Sequence, residues 1–385
     1  MVQALIRKSA CIADLKSRAK RRIPRFAFDY IEDGCNSGLA LKNNRESLDA
    51  VFLRPEYLQS YVAPQLKTEL FGKEYNAPFG IAPLGLTGLI WPDASAMHAR
   101  AALKANIPFV LSTLSTISIE DAAKSAEDNF WFQLYPPSDL EIRADLIKRA
   151  KDSGCKNLVV TVDVPSASRR IRSIKSGLAV PPKITLKSVF ESAMRPSWSI
   201  ATLSAGLPQF ASIMPYIKDT SNIEDIANFV RITLKDVVDG VMLQEIRDAW
   251  GGNLIVKGIS QVDDAKQAAA IGVDGIIVSN HGGRQLDASL PPPESLTEIV
   301  EAVGSDLTVM ADSGVETGVD IARYLALGAQ AVFAGRAFLY GVAAHGEEGA
   351  EHAIDLLHDE LLQVMSQLHC GRPEEMVNYL MKNQK

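Results

Sequence analysis

Cysteine is scarce: the 385-residue chain holds four, at positions 11, 35, 155 and 370, no two closer than 24 positions. That excludes a CxxC metal or redox pair and a dense disulfide framework, and it fits a reducing cytoplasm with no metal site. Positive charge is not in excess. Lys plus Arg is 40 against 46 Asp plus Glu, a net charge of −6, too acidic for a protein built to track a phosphate backbone, so nucleic acid is excluded as a partner. An unbroken apolar run is missing as well. One stretch, 196–217, is free of charge for 22 residues, but Pro208 and Pro215 break it and four serines dilute it. It is expected as a loop or a segment lying on a surface, not a span. No secretory apolar core follows the start, and no low-complexity tract or repeat beyond a strand–helix period is found.

What is present is ordinary globular composition, 47% hydrophobic and 22% charged, which excludes disorder. Basic residues crowd the first 25 positions, eight Lys or Arg against Asp14 alone. A transit peptide, a membrane-surface patch and a solvated helix face are all open readings of that run, the last being the usual one.

From residue 79 onward, β-branched and aromatic runs alternate with amphipathic stretches. Strand starts fall at 79, 109, 130, 157, 253, 275, 308 and 331. Eight parallel strands with right-handed crossovers predict a closed (β/α)8 TIM barrel, class α/β. The helical pattern from 139 marks Leu140, Ile142, Leu146 and Ile147 as one side. The step from 157 to 253 holds roughly 70 residues more than a usual βα unit, predicting a lid over about 166–232 at the carboxyl face of the barrel. Residues 1–75 are expected as an N-terminal helical cap, with RFAFDYIEDG ending a helix at Gly34, and 76–370 as the barrel, in one domain spanning 1–385.

The carboxyl ends of the eight strands supply Pro83, Leu84, Gly85, Ser112, Gln133, Tyr135, Thr161, Asp163, Lys257, Ser279, Asn280, His281, Asp312, Gly335 and Arg336. A polar set at that face predicts a site. The densest signal is SNHGGRQLD, 279–287, where two glycines between His281 and Arg284 let backbone approach a ligand while imidazole and guanidinium share one mouth. In TVDVPSASRRIR, 161–172, Asp163 is placed to hold His281, and Arg170, with Arg169 as the weaker candidate, to meet an anionic substrate. ADSGVETG from 311 and AGRAF from 334 are glycine-rich where barrels bind phosphate.

These residues resemble the FMN-dependent L-2-hydroxy acid oxidising family, which includes L-lactate dehydrogenases, glycolate oxidases and mandelate dehydrogenases. The likeness runs from Ile23 to Leu368 and is carried by FDYIEDG, IAPLGLTG, WFQLY, TVDVP with RRIR, SNHGGRQLD, ADSG and GRAFLYG. It implies FMN as cofactor and a small 2-hydroxy acid as substrate, with electrons passed to a quinone-type acceptor or, alternatively, to oxygen with release of peroxide. It implies His281 as the base and Asp163 as its electrostatic partner, Arg170 and Arg284 as the carboxylate clamp, Tyr30 as a further carboxylate contact and Tyr135 as the group at the hydroxyl. Lys257 matches the cation beside the flavin pyrimidine ring. Ser112, Gln133 and Thr161, with the backbone of Pro83, Leu84 and Gly85, match groups around the isoalloxazine, and Ser279 is a further cofactor-binding residue. Asp312 matches the ribityl contact, and Gly314, Gly335 and Arg336 the phosphate site.

Departures are Glu316, where relatives tend to carry Arg, and Leu84, where they often carry Thr. Leu114 gives an aliphatic pocket wall, favouring lactate or a larger 2-hydroxy acid over glycolate. Gly85 and the uncharged insertion resemble the quinone-linked, membrane-associated members, implying a cytoplasmic protein peripheral to the inner membrane through 196–217. A homo-oligomer, a tetramer by resemblance, is also implied. Remote alternatives are a Schiff-base aldolase using Lys257 and a flavin-binding barrel without turnover.

Overall fold

The computed structural model of the chain describes residues 9–58, 60–178, 185–217, 229 and 237–381. A two-stranded antiparallel hairpin, β1 (Thr68–Leu70) and β2 (Lys73–Tyr75), precedes eight parallel strands. These are β3 (Phe79–Ile81), β4 (Phe109–Ser112), β5 (Phe130–Leu134), β6 (Asn157–Thr161), β7 (Asn253–Ile259), β8 (Gly275–Val278), β9 (Thr308–Asp312) and β10 (Ala331–Ala334). Strand β10 pairs with β3, so the sheet closes into a (β/α)8 barrel. All eight sequence-derived strands are present.

Strand periodicity sorts the core into two shells. Val110, Trp131, Val159, Ile255, Ile277, Met310 and Phe333 point inward and fill the barrel. Their alternates, such as Leu111, Phe132, Val160, Val256, Ile276 and Val309, pack beneath the surrounding helices. The hairpin closes the amino end: Leu70, Tyr75 and Phe71 join the inner shell, and Trp131 Nε1 donates to the Tyr75 hydroxyl at 3.0 Å. The carboxyl end is left for polar side chains.

The N-terminal helical cap is present as helices Ile12–Arg22, Arg25–Glu32 and Leu39–Asp49, after which the chain runs without helix into the hairpin. Other expectations need correction. The FDYIEDG helix stops at Glu32, and Gly34 is no left-handed terminator; a Cβ there would meet Gly283 O at 3.2 Å, so the glycine admits the loop after β8. In helix Leu140–Asp152, Leu146 and Ile147 are buried and Ile142 half-buried, but Leu140, the first residue of the helix, is exposed.

The uncharged stretch is helical over Pro196–Ala205, with Pro196 in the first turn, where its missing N–H costs nothing. Trp198 is its anchor. The indole donates to Leu89 O and Ile90 O at 3.2 and 3.1 Å and meets Phe26 edge-on at 5.6 Å. Parts of the expected lid, 179–184, 218–228 and 230–232, lie outside the described residues. The basic first helix is not simply a solvated face: Ile12, Leu15 and Ala19 are buried, and Arg18 and Arg22 donate to Ala344 O, Val342 O and Ala343 O at the carboxyl end of helix Arg336–His345.

Candidate active site

Just beyond β8 the backbone turns through three left-handed residues, His281 (φ 60), Gly282 (φ 64) and Gly283 (φ 73). For a non-glycine residue that conformation costs about 1–3 kcal/mol and persists only where the surroundings enforce it. Here they do. A Cβ on Gly283 would lie 2.5 Å from Leu41 N, so glycine is required where the cap packs on the loop, and His281 N donates to Ser279 Oγ at 3.0 Å.

The imidazole is held at both nitrogens. Nδ1 lies 3.0 Å from Asp163 Oδ1, and Nε2 lies 3.3 Å from the Tyr135 hydroxyl, with the two rings nearly parallel. Asp163 reaches this position because β7 bulges beside it. The register with β8 shifts between Lys257 and Ile259, and Gly258 takes φ 107 with Asp163 where a side chain would stand, 2.7 Å from an added Cβ. Burial acts to raise the Asp163 pKa, but the charge and hydrogen bond of His281, with Lys257 beyond, outweigh it and hold the carboxyl below its ordinary range. Burial, reinforced by Lys257, pushes His281 below the ordinary imidazole value against the pull of Asp163. Asp163 is therefore ionised and His281 neutral near pH 7. An aspartate accepting from Nδ1–H leaves the Nε2 lone pair as a base aimed into the mouth. Burial and then Asp163 raise the Tyr135 phenol far above its usual value, so it stays a donor.

Two guanidinium groups face this base. Arg284 donates to Tyr30 O and Asp33 O at 3.0 and 3.1 Å and sits over the Tyr30 ring. Arg170 is near enough for its charge to act on Tyr135, His281 and Arg284. Neither makes a salt bridge among the described residues. Burial first, then Arg170, pushes Arg284 down to about 9. Asp33 acts on Arg284 from a distance, but two crowded cations with no carboxylate in direct contact form a receptor for one. The Tyr30 hydroxyl, from the cap, donates to Gly85 O at 3.0 Å, and an added Cβ on Gly85 would meet Leu114 Cβ at 3.4 Å, so Leu114 walls the same space. Arg169 is exposed and stays outside the cluster.

Strand pairing sets the floor of the mouth. Ser112 is registered with Gln133, and Thr161 with Lys257. Ser112 Oγ donates to Gln133 Oε1 at 3.0 Å and Gln133 Nε2 to Thr161 Oγ1 at 2.9 Å. Lys257, 4% exposed, donates to Ser279 Oγ at 2.9 Å and pairs with Asp312 Oδ2 at 3.0 Å. Burial works against its ammonium, but Asp312 and Asp163 outweigh burial and raise the pKa. Farther round, Gly314 (φ 77) and Gly335 sit after β9 and β10, and Arg336 donates to Ile31 O, Gly282 O and Asp33 O. Glu316 is close enough to act electrostatically on Tyr340, as are Glu32 and Arg336. Tyr340 lies one turn along the helix that Arg336 opens.

Sequence reasoning named Asn280 at its strand end but not its partner, and passed over the other residues that join the pieces. Asp287, the last letter of SNHGGRQLD, accepts from Ser37 N, Ser37 Oγ and Ala40 N. Asn280 exchanges side-chain hydrogen bonds with Asn44, and Ser313 Oγ bridges Gly282 N to Asp312 Oδ1. All lie inside or beside motifs already singled out, but their partners are up to 250 positions away and carry no local signal.

A model of the FMN-dependent dehydrogenase family matches residues 19–383. L-lactate dehydrogenases from Caulobacter sp. (strain K31) and Acinetobacter baylyi are each 38% identical over 354 residues, covering 92% of this chain and 93% and 92% of theirs. The crystal structure of the monotopic membrane protein (S)-mandelate dehydrogenase superposes with a TM-score of 0.92 at 36% identity, covering 96% of this chain and 98% of that one. That of mandelate oxidase gives 0.81 at 31%, covering 96% and 97%.

Proposed function

Because this chain belongs to the FMN-dependent dehydrogenase family and is an oxidoreductase of L-2-hydroxy acids, we propose that the cluster around His281 is where the acid is oxidised. The observation that carries this is an imidazole fixed by Asp163 with two guanidinium groups in its electrostatic reach, neither in a salt bridge among the described residues. It is a base beside a carboxylate receptor.

The donor set suits FMN. Ser112, Gln133, Thr161 and Lys257, with the backbone of Pro83, Leu84 and Gly85, would hold the ring system. Ser279 and Asp312 would meet its ring edge and ribityl chain, and Gly314, Gly335 and Arg336 its phosphate. The glycines support this, since an added Cβ on Gly314 would stand 3.0 Å from Leu48 Cδ1 and one on Gly335 3.1 Å from Leu84 Cδ2. When bound, FMN supplies the two-electron acceptor. The protein's part is acid–base and electrostatic. Arg170, Arg284 and Tyr30 bind the substrate carboxylate, and Tyr135 orients the hydroxyl toward His281. His281 Nε2 takes the proton, and ionised Asp163 stabilises the imidazolium through Nδ1–H. A Schiff-base role for Lys257 needs a neutral amine, which its carboxylate neighbours oppose.

The substrate is of lactate size or larger, with Leu114 as an aliphatic wall. The acceptor is a quinone reached at a membrane surface. No helix among the described residues is long and apolar enough to cross a membrane. Helices Leu186–Ala193 and Pro196–Ala205 nonetheless expose Leu186, Val189, Phe190, Ile200 and Leu203, the last at 83%, and Lys187, exposed on the first of them, is paired with Glu191. Apolar side chains turned to solvent along two successive helices suit a surface-lying segment. Subunits are proposed to assemble as a homo-oligomer, as the family resemblance implies.

The test is anaerobic mixing of the yellow enzyme with L- and D-2-hydroxy acids, then reoxidation. Bleaching by an L acid and recovery with a quinone analogue faster than with oxygen are expected. A chain that binds FMN but is bleached by no 2-hydroxy acid contradicts the reading, and faster recovery with oxygen favours the peroxide-producing alternative.

A further inference from the structure

Cap, catalytic loop and insertion meet at Asp33. Helix Arg25–Glu32 ends there in extended backbone (φ −75, ψ 139), which points the carbonyl and the side chain of one residue at different elements. The carbonyl oxygen accepts from Arg284 Nη1 at 3.1 Å and from Arg336 Nη2 at 3.0 Å. The side chain belongs to a residue only 2% exposed. Its Oδ2 accepts from Ser173 N at 2.7 Å and Ser173 Oγ at 2.6 Å, and its Oδ1 from Arg172 N at 3.3 Å.

Those N–H groups open helix Ile171–Ser176. A helix start leaves such donors without intrahelical partners, and a short polar side chain just before it normally accepts from them. Here that position is Arg170, which makes no capping bond and has no acceptor to offer. Asp33 supplies the acceptor instead, from 140 residues away. The backbone agrees, since Asn36 N donates to Arg169 O at 2.8 Å.

We propose that Asp33 is a positioning residue for the carboxylate clamp. Its carbonyl fixes Arg284, and its carboxylate, by capping the helix that Arg170 immediately precedes, fixes Arg170. The separation of the two guanidinium groups is then set through a single residue, and the start of the insertion is tied to substrate recognition. This rests on the clamp assignment above.

A mere structural tie would weaken every ligand alike. A positioning role weakens ligands that carry the carboxylate. Oxidised holoenzyme is titrated with a 2-oxo acid and with the corresponding neutral 2-oxo amide, each read from the flavin absorbance, together with flavin content and Tm. For Asp33→Ala, affinity for the acid should fall about tenfold and for the amide less than about twofold. Asp33→Asn, which keeps one acceptor oxygen, should fall between it and wild type. Ser173→Ala, which removes only the hydroxyl donor, should lose about threefold for the acid alone, and adding it to Asp33→Ala should cost nothing more. Equal weakening of acid and amide, or none, overturns the proposal. If Asp33→Ala does not fold, the Ser173→Ala comparison decides by the same criterion. A wild-type enzyme that binds amide as well as acid overturns the clamp assignment itself, and this inference with it.

Discussion

At the level of single residues, charges are set in place before their partners arrive. His281 is neutral because burial and Lys257 outweigh Asp163, and Arg284 is brought down to about 9 because burial and Arg170 crowd it. Signs follow. A base must be unprotonated, so kcat/KM should rise with pH through the lowered His281 value and be level at neutrality. A clamp must be charged, so kcat/KM for a carboxylate substrate should fall again near pH 9. A pH profile of kcat/KM checks both limbs, and an acid limb above the ordinary imidazole value would contradict a lowered His281 pKa. Glu316 is a second case of the same kind. Its charge reaches Tyr340, on the helix that Arg336 opens beside the proposed phosphate site, so Glu316→Gln should tighten FMN, read from the Kd of reconstitution followed by flavin fluorescence. A gain of about fivefold corresponds to roughly 1 kcal/mol; looser binding in the variant would show that Glu316 supports the site.

Among the elements, the cap is fastened to the barrel by a buried ion pair. Asp320, its side chain fully buried at the start of helix Gly318–Ala326, binds both terminal nitrogens of Arg45 from helix Leu39–Asp49 and is also paired with Arg323. Burial opposes the Asp320 charge, but the Arg45 bonds outweigh it and lower the pKa. Arg45→Met should cost about 3 kcal/mol in denaturant unfolding at neutral pH, because it leaves the buried carboxylate with Arg323 as its one ion-pair partner among the described residues, beside the Glu316 and Thr317 N–H groups. The folded value being depressed, that contribution is present above the ordinary carboxylate range and lost as pH falls through the lowered value, so mutant and wild type should converge in acid.

Elements are also where the sequence is most and least readable. All eight barrel strands are legible because each carries a short β-branched or aromatic run, and their ends supply the residues of the proposed site. The hairpin Thr68–Tyr75 is not, since TEL and KEY are too short and polar for a strand signal and pair only because Leu70 and Tyr75 plug the barrel. Asp33 and Asp287 are invisible for another reason: a capping acid is recognised by its spacing to its own helix, and theirs are caps for other segments.

Across the whole molecule, the insertion leaves the carboxyl face of the barrel, packs on the cap through Trp198 and Phe26, and turns apolar side chains outward. Chemistry and the proposed membrane contact therefore share one end. Flotation with anionic vesicles should recover the wild-type protein in the lipid fraction, and Phe190→Asp with Leu203→Asp should release it while anaerobic reduction by substrate is unchanged. Release without loss of quinone-dependent turnover would separate the apolar face from electron delivery.

Whether His281 is the base that serves a bound L-2-hydroxy acid is decided by anaerobic single-turnover reduction of His281→Ala beside wild type, with flavin content and 2-oxo acid affinity measured on the same preparations. The variant should stay yellow, bind the oxo acid nearly as well and be bleached about a thousandfold more slowly. Bleaching at the wild-type rate would remove His281 from that role.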